Sequence, residues 1–279
     1  MSQKSYDNTP TLYLVPTPIG NMDDITLRAI NILNSVEVIF SEDTRVTGLL
    51  LKHLNIKKKL ISNYEHNENK NLELAESYLK NGKNIALVSD AGTPIISDPG
   101  YEMSKYIIEK GYNVVTLPGA TAFVPALASS GINPSPFMFY GFLNSKEIKR
   151  KKELQELKDI KCTLIFYEAS HRIIETINNI WEIMGDRKLS ISREISKKYE
   201  QIYRGTPKEV LQELNEIKGE FVIVVEYKET TDNYEDISIK EHVEKYIKDG
   251  YKTMDAIKVV SKERSIPKGE VYNEYHKEK

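Results

Sequence analysis

Hydrophobic residues follow two alternating patterns along the first half of the chain. Short apolar runs predict five buried strands, and between them apolar residues recur at the spacing of amphipathic helices. The predicted strands are Leu12–Val15, Val36–Phe40, Leu60–Tyr64, Ile85–Val88 and Val114–Leu117, and the predicted helices are Ile25–Leu33, Thr44–Leu54, Asn71–Leu79, Tyr101–Lys110 and Thr121–Ala128. Strands that alternate with helices are typical of a mostly parallel sheet.

The alternation resumes after Gly131–Pro136, where two prolines and a glycine predict a turn between domains. The predicted strands are now Phe137–Gly141, Thr163–Tyr167, Leu189–Arg193 and Phe221–Tyr227, and the predicted helices are Lys146–Leu157, Ile173–Met184 and Pro207–Ile217. The last strand is the most hydrophobic and is predicted to be central. After a polar break at Thr230–Asp236, residues from Lys240 onward predict two or three short helices. We expect an α/β fold with α/β domains at 11–129 and 130–230 and a helical extension at 238–279.

Composition narrows the class of protein. The chain has 279 residues, of which 40% are hydrophobic, and a net charge of -2, which argues against a protein that coats nucleic acid by bulk electrostatics. Cys162 is the single cysteine and lies in an apolar run, so it forms no internal disulfide. The first ten residues are polar, and no apolar stretch is long enough to span a bilayer. We expect a cytoplasmic protein that contacts no membrane.

Several common sites are missing from the sequence. None of the 14 glycines forms a Gly-x-Gly pair, which excludes the dinucleotide fingerprint, and no phosphate-binding P-loop is present. The five histidines are scattered without the spacing of metal ligands, so we expect no metal site.

Polar clusters instead follow the predicted strands. The fourth strand runs directly into Ser89–Pro94, a loop of small residues in which Gly92 permits a close approach of backbone to a ligand. Because the carboxyl ends of parallel strands meet at one edge of a sheet, the loops there form a crevice for ligands. Polar loops at the ends of predicted strands in the second half are expected to face the same cleft.

Six ordered motifs carry a specific resemblance. They are Leu14–Asn21, Glu42–Arg45, Val88–Gly100, Pro118–Thr121, Tyr167–Arg172 and Gly219–Val222. Together they resemble the ribosomal small subunit methyltransferase I family of the tetrapyrrole methylase superfamily, over about Leu12 to Tyr227. The resemblance implies S-adenosylmethionine as methyl donor, bound between the two α/β domains, and 2'-O-methylation of a cytidine in the decoding region of 16S rRNA within the small subunit. It also implies a homodimer.

The donor site implied by this resemblance involves eight residues. They are Pro16, Asp90, Ala91, Gly92, Thr93, Thr121, Ala122 and Tyr167. A ribose hydroxyl is a poor nucleophile, so a base or a stabilising field is also required. The sequence nominates Glu42, Asp43, Arg45 and Glu168 as catalytic candidates without choosing a base, because perturbed pKa values are invisible in sequence.

RNA contacts are expected from Arg45, His66, Asn67, His171 and Arg172, with the arginines holding phosphate through paired N–H donors. An alternative interpretation of Arg45 is an ion pair with Glu42 or Asp43 that merely fixes the loop. The C-terminal helices interleave lysines and tyrosines, which favours either RNA docking or a cover for the core.

Two other functions remain open at this stage. A methyltransferase acting on a tetrapyrrole would use the same donor, with Arg45 and Arg172 binding substrate carboxylates. A non-catalytic RNA-binding module would keep only a vestigial cleft. The intact glycines of the loop from Ser89 to Gly100 argue against the second.

Overall fold

The computed structural model describes residues 2–5, 7–64, 67–227, 237–248 and 250–277. The chain divides into two compact units, Met1–Tyr227 and Lys228–Lys279. The first unit contains two five-stranded sheets, and the described part of the second contains three helices. The α/β class and the helical C-terminal stretch are therefore confirmed, while the domain limits at 129 and 130 stay a prediction.

The first sheet is parallel throughout, as the alternating pattern predicts. Its strands are β1 (Thr11–Leu14), β2 (Val38–Ser41), β3 (Lys59–Ser62), β4 (Ile85–Val88) and β5 (Asn113–Thr116), in the spatial order β3-β2-β4-β1-β5. The helices that connect them are α1 (Leu27–Ser35), α2 (Thr44–His53), α3 (Glu68–Lys80) and α4 (Tyr101–Glu109), and a 3-10 helix (Met22–Asp24) precedes α1.

Helices cover both faces of this sheet. Strands β2 and β4 are buried at every residue, because alternate side chains enter opposite layers of core. One layer joins Ile39 and Val88 to Leu33 of α1, and the other joins Phe40 and Leu87 to Met103 of α4. Continuous apolar runs in the sequence are thus a direct result of burial on two sides.

The adjacent strands β1 and β4 define the crevice of the sheet. The chain leaves β1 for β2 on one side and leaves β4 for β5 on the other, so the connections diverge between them. The loops beyond the two strands are joined by a pair of backbone hydrogen bonds between Thr17 and Gly92, 2.9 and 3.0 Å long. A crevice at such a reversal is the usual ligand site of an open α/β sheet.

The second sheet is mixed. Its strands are β6 (Phe137–Phe142), β7 (Thr163–Ala169), β8 (Leu189–Arg193), β9 (Gln201–Gly205) and β10 (Glu220–Val225), in the order β6-β7-β10-β8-β9. Only β6 and β7 pair in parallel, and β10 is central, as its hydrophobicity predicts. Strand β9 escapes the sequence analysis, because at this sheet edge only Tyr203 is buried.

The helices of this half are α5 (Phe123–Ser129), α6 (Glu147–Leu157), α7 (Ile173–Met184) and α8 (Pro207–Glu213). Helix α5 follows the last strand of the first sheet but packs on the second. Its Ala126 and Leu127 share an apolar cluster with Ile165 and Val224. The loop between β5 and α5 therefore passes from one sheet to the other.

The second unit contains α9 (Ile239–Lys248), α10 (Thr253–Glu263) and α11 (Lys268–His276), which confirms the predicted short helices. Val243, Ile257 and Val271 are fully buried in its own small core. Among the described residues of the whole chain, none of the helices combines the length and apolarity needed to cross a membrane.

Candidate active site

A cavity of about 340 Å³ lies between the two sheets of the first unit. Both halves of the chain line it, as the resemblance predicts. The first half contributes Ile19, Ala91, Gly92, Thr93, Ile96, Ser97, Asp98, Thr121 and Ala122, and the second contributes Phe142, Tyr167, Glu168, Ala169, Ile195, Glu220, Phe221 and Val222.

The loop after β4 forms one wall and is tied at several points. Gly92 has a φ of +83°, a conformation that L side chains rarely adopt. The Thr17 hydroxyl donates to the carbonyl of Ser89 at 3.1 Å, and the Thr93 hydroxyl donates to the carbonyl of Ala120 at 3.1 Å. These bonds link the loops that follow β1, β4 and β5.

Ile95 adds backbone strain to the same loop. Its φ of +80° is rare for a β-branched residue and costs on the order of 1–3 kcal/mol. Its side chain packs against the apolar layer beneath the loop. Gly100 sits tightly beside it, since a Cβ there would lie 3.1 Å from Cγ1 of Ile95. Packing therefore holds the loop in a conformation that it would not adopt alone.

Six of the eight residues implied as donor ligands line the cavity. They are Ala91, Gly92, Thr93, Thr121, Ala122 and Tyr167. The other two lie close by but are not part of its lining. Pro16 packs beneath Gly119, and the Asp90 carboxylate accepts a hydrogen bond from the backbone N–H of Asp43 at 3.0 Å. Donor contact by these eight residues stays a prediction.

Aromatic rings enclose the side of the cavity formed by the second sheet. The Tyr167 ring meets Phe139 and Phe142 edge to face, with centroids 4.9 and 5.6 Å apart. Burial raises the pKa of the Tyr167 phenol, although the Thr121 side chain opposes the rise with a hydrogen bond. The phenol therefore stays protonated and is available as a hydrogen-bond donor.

Asp98 is the main acidic residue of the cavity that sequence reasoning missed. Burial, together with the charges of Glu42 and Asp90, raises its pKa to about 6, against a hydrogen bond from Ser89 that lowers it. The sequence shows Asp98 only as a turn residue before Pro99 and Gly100. Its approach to Glu42 depends on the adjacency of β2 and β4, which the local sequence does not encode.

Glu42 and Asp43, both predicted as catalytic candidates, differ in environment. Asp43 caps α2 through the Arg45 N–H and accepts a bond from the Arg45 guanidinium at 2.6 Å. Hydrogen bonds from Arg45 lower the pKa of Asp43 to about 2. Burial, followed by the charge of Asp90, raises the pKa of Glu42. The ion pair expected as the alternative role of Arg45 is thus present, with Asp43 as its partner.

Glu168 and Arg172 form a buried pair at the end of β7. The Glu168 carboxylate accepts from the Arg172 guanidinium at 2.6 Å and from the Thr176 hydroxyl at 2.6 Å. The Arg172 side chain is 14% exposed. Because removing one partner would leave an uncompensated buried charge, the turn into α7 depends on the presence of both residues. Base and RNA-binding roles for these two residues stay predictions.

The other predicted RNA contacts are dispersed. Asn67 closes a local turn by accepting from the backbone of Tyr64 at 2.7 Å and donating to that of Ser62 at 3.0 Å. His171 is exposed beside Arg172, and His66 lies outside the described residues. Within the described ranges, no cluster of three or more histidine, cysteine or carboxylate side chains has the geometry of a metal site.

Comparison with known proteins places this geometry in a family. Residues 11–211 match the model of the tetrapyrrole (corrin/porphyrin) methylases. The chain is 49% identical to ribosomal RNA small subunit methyltransferase I of Bacillus subtilis, covering 99% of this chain and 97% of the relative. The protein of that name from Haemophilus influenzae is 44% identical, covering 83% and 84%. The chain therefore belongs to the tetrapyrrole methylase family and, within it, to the ribosomal RNA small subunit methyltransferase I family.

Solved structures support the fold assignment alone. Cobalt precorrin-4 methyltransferase superposes with a TM-score of 0.58 at 18% identity, covering 78% of this chain and 95% of that one. Uroporphyrin-III C-methyltransferase from Thermus thermophilus gives 0.56 at 19% identity, covering 78% and 94%. The arrangement of two sheets is thus that of tetrapyrrole methylases.

The raised pKa of Asp98 predicts a pH-dependent stability. Its folded pKa of about 6 lies above the ordinary aspartate value of 3.8, so the folded state binds the proton more tightly and loses stability as pH rises through this window. We expect Asp98→Asn to raise the melting temperature relative to wild type at pH 7.5 but not at pH 3.5. Asp186→Asn, at an exposed turn, is the control and should show no such difference. An effect of Asp98→Asn that is equal at both pH values would contradict the assigned environment.

Proposed function

We propose that this methyltransferase uses S-adenosylmethionine to methylate the ribose 2'-hydroxyl of a cytidine in the decoding region of 16S rRNA. The observation that carries the proposal is the identity of 40–49% over nearly the full chain to proteins named ribosomal RNA small subunit methyltransferase I. The six motifs behind the sequence resemblance support the choice of cytidine and of the 2'-oxygen. A cytoplasmic homodimer acting on the small subunit belongs to the same proposal.

The cavity suits the donor in size and chemistry. Its volume of about 340 Å³ falls within the range of roughly 300–1,000 Å³ that small-molecule sites occupy. Backbone at Ala91 and Gly92 and the hydroxyls of Thr93 and Thr121 would hold its polar groups. The ring of Tyr167 and the carboxylate of Asp98 suit a positively charged centre. When bound, S-adenosylmethionine supplies a methyl group already activated on a sulfonium.

Protein residues must then orient the ribose and accept its proton. Among the carboxylates of the site, Asp98 has a pKa of about 6 and lines the cavity, so it is ionised near neutral pH yet basic enough to accept a proton. Asp43 is a weaker base because of Arg45, and Glu168 is held by Arg172. We therefore assign Asp98 as the base, with a pKa raised first by burial and then by the charge of Glu42.

Arg45 is the predicted RNA contact whose position favours that role. Its side chain is 89% exposed and stands at the start of α2, where it can reach a phosphate without leaving Asp43. Arg172, in contrast, is engaged by Glu168 inside the turn. Arg45 thus binds the RNA backbone in this proposal, and Arg172 supports the cavity wall.

A tetrapyrrole acceptor is the second candidate. The family match and the structural neighbours favour it at the level of fold. The high identity to proteins named for rRNA favours RNA.

Methyl transfer to defined acceptors tests the proposal. The protein is incubated with tritiated donor and one acceptor in each reaction. The acceptors are unmethylated small subunits, free 16S rRNA and a precorrin-type tetrapyrrole. We expect label in the RNA, and mass spectrometry of the digested RNA should show 2'-O-methylcytidine. Label on a base or on the tetrapyrrole would refute the proposed reaction.

Donor binding is tested by Gly92→Val. A branched residue is strained at a φ of +83° and adds atoms beside Ile19 at the cavity. We expect calorimetry to show one donor site per chain in wild type and none in the variant. Gly82→Val is the matched control, since Gly82 also has positive φ, +74°, but has nothing within 4 Å of an added Cβ. Full affinity in a folded Gly92→Val protein would disprove the assignment of this loop.

The role of Arg45 is tested by Arg45→Ala. Loss of a charge-assisted contact costs on the order of 1.5–3 kcal/mol, or one to two decades of binding. We expect RNA methylation at subsaturating RNA to fall by that factor, with donor affinity unchanged. Lys52→Ala removes an exposed charge from the other end of α2 and should leave the rate near wild type. Equal effects of the two substitutions would show that only net charge matters.

A further inference from the structure

A second cavity, of about 300 Å³, adjoins the proposed donor site. It lies between the loops after β1 and β4 and the first turns of α2. Ile19, Ala91 and Glu220 line both cavities, so the two share a wall. Asp90 and Ala91, both implied as donor residues, also line the second cavity, but its apolar side and Lys197 have no role in the donor assignment.

One side of this cavity is apolar and unusually exposed. Val46 and Leu49 are three residues apart on α2 and therefore share a face. They are 41% and 69% exposed, and Met22 beside them is 42% exposed. Several exposed apolar side chains around one concavity are typical of a binding site rather than of random surface.

The other side is polar and carries both signs of charge. Asp90 and Glu220 contribute carboxylates, and Lys197 contributes an ammonium. The Lys197 Nζ is fixed by ion pairs with Glu194 and Glu220 at 2.9 and 2.8 Å. A flat ligand in this cavity would therefore have an apolar face on one side and hydrogen-bonding groups at its edge.

We propose that the second cavity holds the base of the acceptor nucleotide, turned out of its stack. The inference rests on the proposed function and deepens it. Enzymes that do chemistry on a base commonly take the nucleotide out of the stack and hold the base between aromatic or apolar side chains, and we extend this arrangement to an enzyme that acts on the ribose. Val46 and Leu49 provide that surface.

The polar edge matches cytosine. Carboxylates accept hydrogen bonds from the cytosine 4-amino group, and an ammonium donates to the ring nitrogen N3 and to the carbonyl oxygen O2. Asp90, Glu220 and Lys197 present this combination of groups. Uracil carries a carbonyl in place of the amino group and would face a carboxylate with no proton between them. The shared wall brings the ribose of the inserted nucleotide towards the donor cavity.

Substitution of two apolar residues by aspartate tests base insertion without requiring methyl transfer. An RNA of the decoding region carries the fluorescent analogue pyrrolocytidine at the acceptor position, and binding is followed with S-adenosylhomocysteine present. Unstacking raises the fluorescence of this analogue, so wild type should give a rise. Val46→Asp and Leu49→Asp should weaken the fluorescence-detected affinity by about ten- to a hundredfold, the range for loss of one buried aliphatic side chain.

Donor affinity and a matched control complete the design. Both variants should keep wild-type affinity for S-adenosylmethionine by calorimetry. Ile108→Asp places the same charge at an exposed position of α4, 46% exposed and outside both cavities, and should behave like wild type. Lost donor affinity in the folded variants would show that the second cavity belongs to the donor site, and unchanged RNA signals would show that the base lies elsewhere. Either result overturns the inference.

Failure of the proposed function gives a different pattern. In that case wild-type protein binds donor but produces no 2'-O-methylcytidine in the transfer assay. A normal yield of 2'-O-methylcytidine with no fluorescence rise would overturn the base cavity alone.

Discussion

The two backbone hydrogen bonds between Thr17 and Gly92 join the loops that leave β1 and β4. Each contributes only about 0.5–1.5 kcal/mol net, but their effect is geometric. They hold the β4 loop across the carboxyl edge of the sheet, with Gly92 in a conformation that exposes backbone to the cavity. Ile95 in the same loop has a positive φ, and the packing of its side chain offsets part of that cost. The bridge to β1 and the apolar layer below therefore hold this wall of the cavity in its strained conformation.

Acidic groups at this edge are placed where burial changes their behaviour. Glu42 follows β2, Asp90 and Asp98 follow β4, and each has a raised pKa. Asp43 is one residue from Glu42 and has a lowered pKa, because Arg45 binds it. Neighbouring carboxylates thus divide into an ion-paired group that fixes a helix start and less solvated groups that hold protons more tightly.

Sequence patterns predict the fold well where all side chains of a strand share one environment. Strands β2 and β4 appear in the sequence as apolar runs because both faces are buried, and the hydrophobicity of β10 predicts its central position for the same reason. Strand β9 was missed, since an edge strand with one buried residue has no clear period. The sequence also does not predict that α5 packs on the second sheet, because an apolar helix face does not specify which sheet it covers.

The candidate site is likewise predictable only for the residues that sequence motifs identify. Motif residues such as Thr93 and Tyr167 were placed at the cavity by resemblance, and the structure brings them together there. The resemblance does not identify Asp98, because its environment depends on Glu42, which is distant in sequence. Glu168 and Arg172 are only four residues apart, but the sequence does not show that the turn between β7 and α7 brings their side chains together.

The wall formed by Ile19 and Ala91 has a thermodynamic consequence. A molecule pressed against one side of that wall restricts the positions that the wall can take on the other. The free energies of occupying the two cavities are then linked, and linkage is reciprocal: any factor by which the first ligand changes the affinity of the second returns unchanged in the opposite direction. With the donor in one cavity and the acceptor base in the other, as proposed, each would change the affinity of the protein for the other through this wall.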